Sequence, residues 1–130
     1  MTERSMREPT LLLLTALADA PRHGYALIQE IAAISQGRIT MRASTLYSTL
    51  DRLLQQGFIG VESDEVVNGR ARRTYALTDT GTATLAAETD RLLTVVAEAD
   101  RRLRRTGAAE AGARSVTEPV FRLEARGALA

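Results

Sequence analysis

The sequence predicts a mainly α-helical fold that carries one small β-hairpin. Three observations predict it. Three short segments in the first half place apolar residues at helical spacing. Two β-prone runs flank an Asn68-Gly69 pair. The segment after the second run repeats apolar positions at alternating steps of four and three.

The first helix is expected from Thr10 to about Ala18. Pro9 suits a first turn, where the missing N–H has no partner to lose, and Pro21 marks the end. Leu11 to Leu14, Leu17 and Ala18 make this helix apolar almost all round, so it should be buried on more than one side. The second helix is expected from Gly24 to Ser35, with Leu27, Ile28, Ile31 and Ile34 as its apolar stripe and Gly37 as its break.

The third helix should run from Ser44, a candidate N-cap, to Gly57, a natural residue for a left-handed turn. Its buried stripe is Leu46, Leu50, Leu53 and Leu54, with Tyr47 at the edge. The opposite face carries Thr45, Ser48, Thr49, Arg52 and Gln55. Phe58, Ile59 and Val61 form one strand, and Thr74 to Leu77 form another. Asp64 and Glu65 fall in the connecting loop. Asn68 to Tyr75 holds Arg70, Arg72 and Arg73 and no acid.

A long helix should then start near Thr78 or Asp79 and reach about Arg105, where Thr106-Gly107 ends it. Leu85, Thr89, Leu92, Val96, Ala99 and Leu103 form an a/d seam along it. Three short helices cannot cover so long a seam, so the seam is expected to form a homodimer interface. Arg101, Arg102, Arg104 and Arg105 sit favourably at the negative end of the helix dipole. Residues 106–130 turn to Ala, Gly, Glu and Arg, and are expected to be a disordered tail or one short helix around Val120 to Leu123. The division is thus 1–78, 79–105 and 106–130.

Composition bounds the function. A length of 130 residues fits one compact domain. The Leu11 to Leu14 run is far too short to span a membrane, and no signal peptide is expected, so a cytoplasmic protein with no membrane contact is the simplest reading. The chain has no cysteine, which excludes disulfides and thiol chemistry. His23 is the only histidine and does not make a metal site alone; it is expected to cap or pack at the start of the second helix. No metal and no cofactor is expected. Catalysis finds no support either, because there is no Gly-rich phosphate loop and no Ser, His and Asp brought together. The net charge of +1 decides nothing; what matters is where the charge sits. All 17 basic residues are Arg, the better residue for guanine edges and phosphate forks, although genome base composition alone can produce such usage.

Three short helices followed by a hairpin with a basic tip is the winged helix-turn-helix order of elements. A major groove about 12 Å wide accepts one helix. Thr45, Ser48 and Arg52 project from one face of the third helix, where hydroxyls can bond bases or phosphates and Arg can read guanine. A wing bearing Arg70, Arg72 and Arg73 would lie against the backbone or a neighbouring minor groove.

Three motifs then carry a resemblance. His23-Gly24-Tyr25-Ala26-Leu27 resembles the HGYxL start of the second helix in the PadR family of transcriptional regulators. Thr45-Leu46-Tyr47-Ser48-Thr49-Leu50, Arg52-Leu53 and Gly57-Phe58-Ile59 resemble its TLYPxLxRLxxxGLI signature. Arg72 to Thr78 with Gly81 resemble its RKYYxLTxxG wing. The resemblance covers about residues 10–105 in order and spacing. Ser48 stands where the family has proline, and Phe58 where it has leucine. The single long helix after the wing is similar to the short-tailed branch.

The resemblance implies a dimeric repressor on operator DNA, with Ser44, Thr45, Tyr47, Ser48 and Arg52 on the DNA-facing side of the third helix and Arg70, Arg72 and Arg73 on the wing. It implies that the last helix crosses its twin together with the first helix. It also implies a small hydrophobic effector. Alternatives stay open here. Tyr25 and Tyr47 could be core aromatics with their hydroxyls outward. Arg52 could be a solvated residue paired with Ser48 or Gln56, and the three wing arginines a solvated tip. A winged-helix protein-interaction module would need no acid-free basic wing, and a regulator of the MarR type would place dimer helices at both ends of a longer chain.

Overall fold

A computed structural model describes residues 6–107 of the chain; of the tail expected at 106–130, residues 108–130 lie outside the described residues. The order of elements is α1 (Glu8–Ala16), β1 (Arg22–His23), α2 (Gly24–Ile34), α3 (Ala43–Gln56), β2 (Ile59–Val67), β3 (Arg70–Leu77) and α4 (Asp79–Arg105). Helices α1 to α3 with a three-stranded antiparallel sheet in the order β1-β3-β2 make up the body. The mainly α fold with a small β-hairpin is as expected. Two compact units divide at Glu88 and Thr89, inside α4. Chain 79–88 belongs to the first unit because Leu85 packs against the body's core and Gly81 lies on the carbonyl of Phe58, where a Cβ would collide with backbone.

Helix α1 starts two residues earlier than expected, with Pro9 in its first turn. Leu12, Leu13, Leu14 and Ala16 are all buried, as an all-round apolar helix requires. Its C-terminal carbonyls are held from outside: Arg22 Nε donates to Ala16 O at 2.8 Å. In α2, Leu27 and Ile31 are buried and Ile28 partly so, but Ile34 is exposed. The stripe ends there because Gln36 and Gly37 turn the chain through left-handed conformations (φ 56° and 82°). Ser35 is buried, and its hydroxyl accepts from the N–H of Ile39 at 3.0 Å.

Helix α3 corrects three expectations. Its N-cap is Arg42, without a side-chain hydrogen bond, and Ser44 stands inside the first turn. Thr49 is buried rather than on the outer face, with its hydroxyl donating to the Thr45 carbonyl at 2.8 Å. Leu54 is only partly buried. Leu46, Leu50 and Leu53 are fully buried, and Gly57 ends the helix at φ 79°.

The hairpin is longer than the apolar runs implied. Residues 62–66 and 70–73 are strand, not loop, so Asp64 and Glu65 lie in β2, directly across from Arg73 and Arg72. Asn68 and Gly69 both have positive φ (53° and 77°), the geometry of a two-residue hairpin turn that matches strand twist. A bulge between Val61 and Ser63 inserts Glu62 and bends the hairpin above the body. Strand β1 was not anticipated; its two residues pair Arg22 with Tyr75 and His23 with Thr74.

Thr78 links the hairpin to α4. Its hydroxyl donates to the Gly57 carbonyl at 2.6 Å and accepts from the Gly81 N–H at 3.0 Å, capping the helix. Helix α4 spans 27 residues, about 40 Å. Among the described residues no helix is long and apolar enough to cross a membrane.

Leu50→Ala should lower unfolding free energy by about 2–5 kcal/mol, since it empties a fully buried site, and Gly81→Ala by about 1–3 kcal/mol through overpacking on Phe58. Chemical denaturation, followed by far-ultraviolet circular dichroism, checks both.

Candidate nucleic-acid interface

The sharp turn at Asn68-Gly69 and the rotation of α3 open a cleft of about 810 Å³ between helices and wing. One wall is the start of α2 (His23, Gly24 and Tyr25), with Tyr47 and Asp51 of α3. The other is the wing, with Asp64, Val67, Arg70, Arg72, Arg73 and Tyr75. His23 caps α2, its Nδ1 accepting from the N–H of Ala26 at 3.3 Å. Tyr47 is half-exposed, and its phenol oxygen lies over Gly24 so closely that a Cβ there would collide with it. The far end of Tyr47 thus packs on α2 while its flank faces the cleft. Tyr25, at 67% exposure, is no core residue.

Tyr75 is 5% exposed at the floor of the cleft. Burial pushes its phenol above the ordinary tyrosine range, against the guanidinium of Arg73, which favours the ionised form. The phenol is thus neutral at physiological pH.

The predicted site residues separate into two groups. Tyr47, Arg70, Arg72 and Arg73 share the cleft. Ser44, Thr45 and Ser48 are exposed on α3 outside its lining, with the Ser48 hydroxyl donating to the Thr45 carbonyl at 3.2 Å. Arg52 is turned toward α1: Nη2 donates to Thr10 Oγ1 at 2.8 Å and Nη1 to Gln56 Oε1 at 3.3 Å. These bonds occupy two of its five donors. Together with Met6, Arg7 and Phe58 these residues line a second hollow of about 520 Å³.

The wing is less purely basic than its own strand suggests. Arg73 pairs with Asp64 at 3.3 Å, both half-exposed, and Arg72 faces Glu65 across the ladder. Such an exposed pair contributes at most about 1 kcal/mol and exchanges readily. Sequence reasoning missed Asp51, which lies three residues after Ser48 and four after Tyr47 and so on the same helical face; that spacing was the available signal.

On α4, Leu85 is partly buried and packs against the body's core. Of the other seam positions, Leu92 and Val96 are half-buried while Thr89, Ala99 and Leu103 are exposed, and Leu93 and Val95 add exposed apolar surface beside them. Glu98 pairs with Arg101 and Arg102, and Asp100 with Arg104. Among the described residues, no group of three or more His, Asp or Glu is placed to hold a metal ion.

Three helices, a two-stranded wing and a long following helix define a winged helix-turn-helix protein of the transcriptional-regulator class. The family model described as the transcriptional regulator PadR-like family matches residues 13–87, more than half of the chain, and the chain belongs to that family. The class is one of regulators, not enzymes. Transcriptional regulator Rv3488 of Mycobacterium tuberculosis is 40% identical over 78 residues, covering 60% of this chain and 69% of that protein. Transcriptional regulator YqjI of Escherichia coli is 34% identical over 74 residues, covering 57% of this chain but only 34% of that longer protein. A PadR family regulator from Eggerthella lenta superposes with a TM-score of 0.57 at 28% identity, over 75% of this chain and 82% of that one. Bacillus subtilis PadR, in complex with operator DNA, shares the fold with a TM-score of 0.56 at 23% identity, over 63% of this chain and 46% of that one.

In a spectrophotometric titration at 295 nm, Tyr75→Phe should remove an ionisation step that lies above the ordinary tyrosine range. Because the folded state holds this proton more tightly than the unfolded chain, stability should fall as pH rises past about 10.

Proposed function

We propose that this chain is a sequence-specific DNA-binding transcriptional regulator, a dimeric repressor of an inverted-repeat operator. The observation that carries the proposal is the shared cleft: the wing's Arg70, Arg72 and Arg73 face the exposed side of α3 across a gap rimmed by Tyr25 and Tyr47. A phosphodiester strand lying along the wing wall would meet its arginine forks, with Tyr25 and the flank of Tyr47 across the gap. Helix α3 would then lie in the major groove with Ser44, Thr45 and Ser48 toward bases or phosphates. Arg52, already held by Thr10 and Gln56, would offer its remaining donors to a phosphate at the far edge of this face without further ordering.

Family membership and the apolar positions on α4 support the dimer. Leu92, Val96, Ala99 and Leu103, with Thr89, form the proposed seam, continuing from Leu85. Two such subunits would place their α3 helices about one helical turn of DNA apart, about 34 Å, on a palindromic site. A small hydrophobic effector that binds one dimer geometry better than the other would release the DNA.

Purified protein, incubated with fragmented genomic DNA and recovered, should enrich an inverted repeat. The Arg72→Ala/Arg73→Ala variant should lose that enrichment while unfolding at the same denaturant concentration. Recovery of all fragments alike by the parent protein would refute operator recognition.

A further inference from the structure

We infer that Asp51 is a base-selecting residue of α3, whose carboxylate accepts a hydrogen bond from the exocyclic amino group of cytosine, or secondarily adenine, at one position of each half-site. This rests on the proposed DNA-binding function and goes beyond it to the base that is read.

The position of Asp51 is the first ground. It is exposed, one turn after Tyr47 on the flank of α3 that borders the cleft. The buried stripe of Leu46, Leu50 and Leu53 fixes the rotation of the helix, so this flank cannot turn away.

The second ground is that Asp51 has no structural task. The other acid of the cleft, Asp64, is engaged by Arg73 at 3.3 Å. No hydrogen bond or ion pair ties Asp51 to any described residue, although three arginines line the same cleft. An exposed carboxylate that caps nothing and pairs with nothing contributes little to the fold.

The third ground is chemical. An ionised carboxylate only accepts hydrogen bonds. Against DNA it is repelled by phosphates and by the O6 and N7 of guanine, and it is satisfied only by amino groups, of which cytosine N4 is the usual partner for Asp. A cation at this position would strengthen binding to every sequence; a carboxylate weakens binding to all sequences except those with an amino group facing it. Asp51 therefore raises discrimination rather than affinity, in a protein whose arginines supply the sequence-independent attraction.

The test is selection of binding sites from a random duplex library by the full chain, beside Asp51→Ala and Asp51→Asn. Being exposed, both substitutions should leave the unfolding midpoint in place. The parent should select cytosine or adenine at one position of each half-site. Asp51→Ala should flatten that position by about tenfold and leave the others, and should bind random duplex at least as tightly as the parent. Asp51→Asn should shift the same position toward adenine, which Asn reads in bidentate fashion. Identical motifs from all three proteins would overturn the inference while leaving the regulator intact. No motif from the parent would overturn the DNA-binding proposal, and the inference with it.

Discussion

The burial of three leucines decides most of what this molecule presents to its surroundings. Leu46, Leu50 and Leu53 are fully buried in one cluster with Leu13, Leu14, Leu27 and Ile31. Each fully buried leucine contributes about 1.5–3 kcal/mol over its exposed state. Rotating α3 by a single residue, about 100°, would forfeit much of that and bury polar side chains instead. The outer face is therefore as firmly specified as the core. Ser44, Tyr47, Ser48 and Asp51 point outward because the leucines point inward, and the contact of Tyr47 with Gly24 adds a second registration point between α2 and α3.

The wing is held differently. Its root is packed: Tyr75 and Ile59 are buried in the body, and β1 pairs with β3 there. Its outer part carries no apolar face and relies on the ladder, the Asn68-Gly69 turn and exposed side chains. The Arg73–Asp64 pair costs little to break, so Arg73 can exchange a carboxylate for a phosphate. Acids opposite two of the three wing arginines lower the local positive charge of the wing, which moderates its attraction to a polyanion.

The helices were legible in the amino-acid sequence because each carries a stripe of the right period and a distinct stop: Gly37, Gly57 and Gly107 all adopt positive φ where the helical patterns end. The turn at Asn68-Gly69 was legible for the same stereochemical reason. The full wing was not, because strands that project from the body bury neither face and so show no alternation in Glu62 to Glu65. Strand β1, two residues long, is too short for any period. The burial of Thr49 was not legible, because a helical Thr can satisfy its hydroxyl on the carbonyl four residues back and so enter the interior. Arg52 could be assigned to α3 from sequence, but its bond to Thr10, 42 residues away, depends on how α1 and α3 pack.

The central claim is that one continuous surface, α3 and the wing across a single cleft, meets the phosphates of duplex DNA. The dependence of duplex affinity on salt concentration tests it most directly. Fluorescence anisotropy with a random-sequence duplex should give a linear fall of log K with log salt. Replacing Arg70, Arg72 or Arg73 singly by Ala should make that slope shallower by about one each time. An unchanged slope in all three variants would contradict the account and move the DNA-binding surface elsewhere on the molecule.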